Sequence, residues 1–209
     1  MADFKIPLQT LKGRGAATRN AHRFEQDARA AFDDGWATWD EALSAEAPKL
    51  QTEVRWEDAR SALVGNDSPD IAFDQSINPY RGCEHGCSYC YARPTHSYLG
   101  LSPGLDFERV IIAKRGLAGL LRQELSARAY RPSMIVIGSV TDAYQPVERE
   151  LKITRSLIEV LREARHPFSI ITKSSGVERD LDLIAPMAQE HLAAVYVTIT
   201  TLDGELARR

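Results

Sequence analysis

The sequence predicts an α/β fold with a parallel sheet, and two observations carry that expectation. From Asp70 onward, short apolar runs alternate with amphipathic segments, the rhythm of repeated strand–helix units. The apolar runs also end in polar residues, as strands do when the loops that follow them converge on a site and the opposite face only stabilises.

Strand one is expected over residues 72–78. A short helix over 92–99 precedes the turn residues Ser102, Pro103 and Gly104, and strand two covers 110–113, ending at Lys114. The helix expected over 117–128 carries Leu117, Leu120, Leu121 and Leu125 on one face. Strand three, 134–138, is a continuous apolar run suited to burial on both faces, and it ends in Ser139, Thr141 and Asp142. Pro146 fits the first turn of the next helix, and Glu148 and Glu150 favour the positive end of its dipole. That helix carries Leu151, Leu157, Ile158 and Leu161 and stops by Pro167, whose ring excludes continuation. Strand four covers 168–172 and ends in Thr172, Lys173 and Ser174. A helix over 180–190 places Leu181, Ile184 and Ala188 on one face, and strand five, 194–200, carries Thr198 and Thr200.

Of the 209 residues, 44% are hydrophobic and 26% charged, an ordinary composition for a soluble domain. A net charge of −3 gives no global attraction to polyanions. The first residues lack the apolar core of a signal peptide, and no run approaches the ~18 apolar residues of a membrane span, so a cytoplasmic protein is expected. Residues 1–65 differ in texture from the core expected over 66–209, and read as an irregular N-terminal extension. Within it, Lys12, Arg14, Arg19 and Arg23 suggest an unstructured basic arm, either a phosphate-contacting segment or a solvated tail. A short helix is plausible over 40–45, and Trp36, Trp39 and Trp56 are expected to anchor the extension.

The chain has three cysteines, and all of them fall in one eight-residue loop as Cys83, Cys87 and Cys90. An odd number so closely spaced is not a disulfide framework and reads as a metal site. Gly82 and Gly86 permit the unusual backbone angles that wrapping thiolates about a centre requires. An iron–sulfur cubane used for electron transfer takes four cysteines, so three would leave one iron open to an external ligand. A structural zinc held with His85 or His96 is the plainer alternative, although such sites use two separated knuckles and no second knuckle is present.

The spacing of Cys83, Cys87 and Cys90, with Tyr89 directly before the last cysteine, resembles the cluster motif of the radical S-adenosylmethionine superfamily. The run Asn78-Pro79-Tyr80-Arg81-Gly82-Cys83, followed by Cys90-Tyr91-Ala92, is similar to the branch that contains spore photoproduct lyase. The resemblance implies a partial (β/α)6 TIM-like barrel and a [4Fe-4S] cluster on the three cysteines. It also implies S-adenosylmethionine cleaved to methionine and a 5′-deoxyadenosyl radical, and an electron donor such as flavodoxin or ferredoxin. The substrate stays open, with nucleic acid among the classes admitted. The competing readings are an iron–sulfur electron-transfer or redox-sensing protein and a zinc-stabilised nucleic-acid-binding protein.

Under this resemblance, the polar strand ends acquire roles. Lys114 would pair with the carboxylate of S-adenosylmethionine as a compact point charge. Asp142 or Ser139 would take the ribose hydroxyls or the amino group. Backbone near Tyr89 would meet adenine, and Thr172, Lys173 and Thr198 supply further polar groups for cofactor or substrate.

The sequence departs from spore photoproduct lyase in having no fourth cysteine to return hydrogen to a product radical, so the lesion-repair reaction is not carried over. Tyr130, Tyr144 and Tyr196 are the other candidate hydrogen donors. Five strands are read where the barrel implied by the resemblance needs six, so the core is expected to be incomplete at its C-terminal end.

Overall fold

The structure is a computed structural model that describes residues 14–16, 20–21, 23–24 and 51–203. Its strands are β1 (Glu53–Asp58), β2 (Val64–Gly65), β3 (Gln75–Ile77), β4 (Tyr80–Arg81), β5 (Val110–Arg115), β6 (Ile135–Ile137), β7 (Phe168–Thr172) and β8 (Ala193–Val197). The α-helices are α1 (Leu105–Arg109), α2 (Leu117–Leu125), α3 (Glu148–Leu151), α4 (Ile153–Glu163) and α5 (Leu181–Gln189), with 3-10 helices at Arg93–Leu99 and Ser175–Asp180. The chain forms two compact units interleaved in sequence, Met1–Val54 with Gly82–Ile111 and Arg55–Arg81 with Ile112–Arg209.

The larger unit is mixed α/β. Its five-stranded sheet runs β2-β3-β6-β7-β8, with β2 antiparallel to β3 and the remaining pairs parallel. Ile135, Val136 and Ile137 are all buried, as an apolar run covered on both faces must be. Helices α2 and α4 bring Leu117, Leu121, Leu157, Ile158 and Leu161 into the same core. Each such side chain contributes about 1.5–3 kcal/mol by leaving water. β8 pairs with β7, and its Tyr196 and Val197 are exposed together with Ile199 and Leu202 beyond it.

Two expectations are corrected here. Residues 110–113 do form a strand, but β5 does not follow β3 in the parallel sheet. β3 pairs directly with β6, matching Ile77 to Ile137, while β5 lies in a second sheet of order β1-β5-β4, antiparallel to β4. Pro79 marks the switch: it has no N–H for a ladder, ends the β3 strand, and accepts instead from the Lys114 N–H at 3.1 Å. The single helix expected after Pro146 is also broken. Lys152 takes a left-handed conformation, φ 53°, between α3 and α4. The buried Glu148 carboxylate folds over the start of α4 and accepts from the Thr154 N–H at 3.0 Å and the Arg155 N–H at 3.4 Å. A carboxylate there satisfies first-turn donors and complements the helix dipole, which stabilises the break.

The smaller unit is built on short elements around the cysteine loop. His96 lies edge-on to Phe107 at 5.2 Å between ring centroids, and its Nε2 is 2.9 Å from the Val110 carbonyl. Arg14, expected in an unstructured arm, is instead docked: its guanidinium donates to the Glu108 carbonyl at 2.6 Å and to the Thr52 hydroxyl at 3.0 Å. Arg23 stacks on Phe24 and Tyr98, each at 4.7 Å. The rest of the expected basic arm, the 40–45 helix, Trp36 and Trp39 lie outside the described residues. Trp56 is half exposed in β1 of the larger unit, beneath the Arg115 guanidinium at 5.3 Å. Among the described residues no helix is long and apolar enough to cross a membrane.

Candidate functional site

The cysteine loop is shaped before any ligand is considered. Gly82 enters it at φ 82°, and a side chain there would meet the Phe107 and Val110 carbonyl oxygens at 2.9 Å, so glycine alone fits. The Cys83 N–H donates to the Phe107 carbonyl at 2.9 Å. Arg93, three residues after the last cysteine, clamps the loop from inside. Its guanidinium donates to the Cys87 carbonyl at 3.0 Å, the Gly86 carbonyl at 2.9 Å and the Glu108 carboxylate at 2.5 Å. Glu108 is fully buried and also accepts the Arg14 N–H at 2.5 Å.

All three cysteines are free thiols, Cys83 buried and Cys87 and Cys90 half-buried. Cys83, Ala92 and Phe107 form one apolar cluster against which Cys90 packs. Tyr89 is exposed. Among the described residues, no three His, Cys, Asp or Glu side chains are grouped to hold a single metal ion. The three thiols are soft donors of the kind an iron–sulfur cluster takes, and Cys83 and Cys90 pack against apolar side chains.

In the larger unit, the carboxyl ends of β6, β7 and β8 carry most of the expected polar residues, and several meet directly. One Asp142 oxygen accepts from the Thr172 hydroxyl at 2.6 Å and the Tyr144 N–H at 2.8 Å, and the other from the Lys173 N–H at 2.7 Å. The Thr198 N–H donates to the Thr172 carbonyl at 2.9 Å. Ser139 is joined to Asn78, whose amide donates to its hydroxyl at 3.2 Å and whose carbonyl oxygen takes the Val140 N–H at 2.8 Å. Ser139, Asp142, Thr172, Lys173 and Thr198 therefore share one rim of the sheet. Lys114 lines a different cavity, none of whose lining residues is a member of that rim.

Of the candidate hydrogen donors, Tyr130 is tied to Gln75 at 2.9 Å and lies 2.8 Å from His166, and Tyr144 donates to the buried Asp180 at 3.0 Å. Burial and the adjoining Asp180 push the Tyr144 hydroxyl well above its usual range. Burial alone would raise the Asp180 carboxyl, but hydrogen bonds from Arg179, Arg155 and Tyr144 hold it below its ordinary value. Tyr80 is buried on Glu148 in the same network and its ionisation is strongly suppressed, first by burial and then by that carboxylate. Tyr80, Tyr130 and Tyr144 are thus tied to hydrogen-bond partners, while Tyr196 is exposed on β8.

Sequence reading missed Arg93 and Glu108, and it named Asn78 within the motif without giving it the contact it makes with Ser139. Asn78 stands in the motif itself, directly before Pro79, and that adjacency is the signal that marks it. Arg93 and Glu108 are ordinary charges in the sequence, and nothing there announces that one buried carboxylate gathers both loop and arm.

No family model matches the chain. No solved structure matches it either. It is 40% identical over 152 residues to an uncharacterised protein of Mycobacterium tuberculosis, across 71% of this chain and 44% of the relative. An uncharacterised protein of Mycobacterium bovis matches to the same extent, 40% over 152 residues, 71% of this chain and 44% of its own length. An uncharacterised protein of Methanocaldococcus jannaschii is 31% identical over 132 residues, 63% of this chain and 46% of that protein. The chain thus spans about half the length of the curated relatives it matches.

Proposed function

We propose that this chain carries the core of a radical S-adenosylmethionine enzyme of the branch its cysteine motif resembles, with its parallel strands forming part of a (β/α)6 barrel. The observation that carries the reading is the set of three cysteines confined to one loop directly after Asn78-Pro79-Tyr80. Cys83, Cys87 and Cys90 would hold a [4Fe-4S] cluster. When bound, the cluster supplies one electron that cleaves S-adenosylmethionine to methionine and a 5′-deoxyadenosyl radical, which removes hydrogen from a substrate. A flavodoxin or ferredoxin would reduce it.

The chain's own residues do the holding. Arg93, itself held by Glu108, fixes the Gly86 and Cys87 carbonyls of the loop that would present the thiols. On the sheet rim Asp142 fixes the Thr172 hydroxyl and the Lys173 backbone; the exposed Lys173 ammonium would turn to the cofactor carboxylate, and Ser139, held by Asn78, would meet a hydroxyl or the amino group. Anaerobic reconstitution with iron and sulfide, followed by assay for 5′-deoxyadenosine, tests the proposal. The expected result is a cluster of four irons that each of Cys83→Ala, Cys87→Ala and Cys90→Ala abolishes, with deoxyadenosine formed on reduction. Stoichiometric zinc in a colourless protein, or an intact cluster that leaves S-adenosylmethionine uncleaved, would overturn it.

A further inference from the structure

The larger unit holds a cavity of about 470 Å³ lined by Glu57, Asp58, Arg60, Ser61, Arg81 and Lys114, apart from the rim just described. Its walls are built. The Ala62 and Leu63 N–H groups donate to the Glu124 carboxylate at 2.9 and 2.8 Å, which fixes the segment that carries Arg60 and Ser61. The pairing of β4 with β5 sets Arg81 opposite Ile112, two residues before Lys114.

The charges on this cavity do not cancel. Arg81 is paired to Glu57 at 3.0 Å, and Asp58 is engaged at 3.6 Å by Arg115 on the border. Neither Arg60 nor Lys114 has an ion-pair partner among the described residues. Three lining cations, Arg60, Arg81 and Lys114, against the two carboxylates Glu57 and Asp58 leave a net positive charge on the cavity. Lys114 is also half-buried, and burial first and Arg81 second push its ammonium below the ordinary lysine range, with Glu57 offsetting only part. A desolvated, unneutralised ammonium is a cost to the fold that a bound anion offsets.

We propose that this cavity binds a phosphorylated small molecule, its phosphoryl group held by Arg60, Arg81 and Lys114. Where a carboxylate offers two oxygens, a phosphoryl group offers three terminal ones, one for each of Arg60, Arg81 and Lys114. Guanidinium forks suit its oxygens. The volume falls within the ~300–1,000 Å³ of small-molecule sites and leaves room for the rest of the ligand. The proposal goes beyond the cluster reading and stands whether or not that reading holds.

The test is competitive acetylation of lysines in the 209-residue chain, read by mass spectrometry, with inorganic phosphate against acetate and sodium chloride at equal ionic strength. Phosphate should slow modification of Lys114 about fivefold at about four-fifths occupancy, with Lys152 unaffected. Arg60→Ser and Arg81→Ser should each remove that protection. Calorimetric phosphate binding should be lost in Lys114→Met. That variant removes an unpaired, half-buried charge, so it should stay folded by circular dichroism and unfold no earlier than the parent. Equal protection by acetate or chloride, no protection by phosphate, or undiminished binding in Lys114→Met would each overturn the proposal.

Discussion

The Arg93 guanidinium meets the Glu108 carboxylate at 2.5 Å in the smaller unit, and Glu108 has no exposed surface. Removing one partner of a buried pair strands the other charge, at a cost of about 3–5 kcal/mol. Glu108→Ala should lower the unfolding free energy by that amount in denaturant titrations. It should also speed alkylation of Cys87, whose carbonyl Arg93 holds. A loss below about 1 kcal/mol, the range of a surface pair, would show that the clamp is dispensable.

Two glycines should respond to alanine with opposite signs. Gly138 sits at φ 85°, and a Cβ there would lie 2.7 Å from the Ile171 carbonyl oxygen, backbone of the neighbouring strand that cannot yield. Gly138→Ala should destabilise by about 1–3 kcal/mol. Gly119, inside α2, has nothing within 4 Å of that position, and Gly119→Ala should stabilise by up to about 1 kcal/mol. Unfolding midpoints of the two variants check the pair.

Asp142 accepts three hydrogen bonds at the rim. Replacing it with Ala leaves the Thr172 hydroxyl and the Lys173 N–H without that acceptor, costing about 1–3 kcal/mol of stability. If the rim binds the cofactor, S-adenosylmethionine affinity in equilibrium dialysis should fall about tenfold or more, a change of about 1.4 kcal/mol in binding. Unaltered affinity in a folded Asp142→Ala would remove the rim from the cofactor site.

Burial pushes the His166 imidazole below its ordinary range, the Pro167 carbonyl pulling weakly the other way. Between the folded value and the unfolded value of about 6.5, the unfolded chain binds more protons, so stability falls as pH drops through that window and then levels off. Urea titrations from pH 8 to pH 5 should show this loss, and His166→Asn should show less of it. A variant with the same acid sensitivity as the parent would assign the loss to other groups.

What the sequence revealed and what it hid divide along physical lines. β7 spans the residues expected for strand four, and β6 and α4 lie within theirs, because burial on two faces or on one helical stripe leaves a periodicity that local residues carry. The break at Lys152 was invisible, since it depends on a buried Glu148 reaching over the start of α4. Apolar character marked β5 as a strand but could not say which neighbour it would take. The three cysteines were legible as a motif, whereas the Arg93–Glu108 clamp joins side chains 15 positions apart that have no sequence signature.

The register of the parallel sheet also sets an order of events in folding. Ile170 meets Val195 and Ile137 meets Ile170 over separations of 25 and 33 positions, but Ile77 must find Ile137 across 60. Closing the longest loop costs most chain entropy and delays its contacts. β3 should therefore join last, after β6, β7 and β8 have paired. Pulsed hydrogen exchange during refolding should protect the amides of β7 before those of β3, and the reverse order would refute this sequence of events.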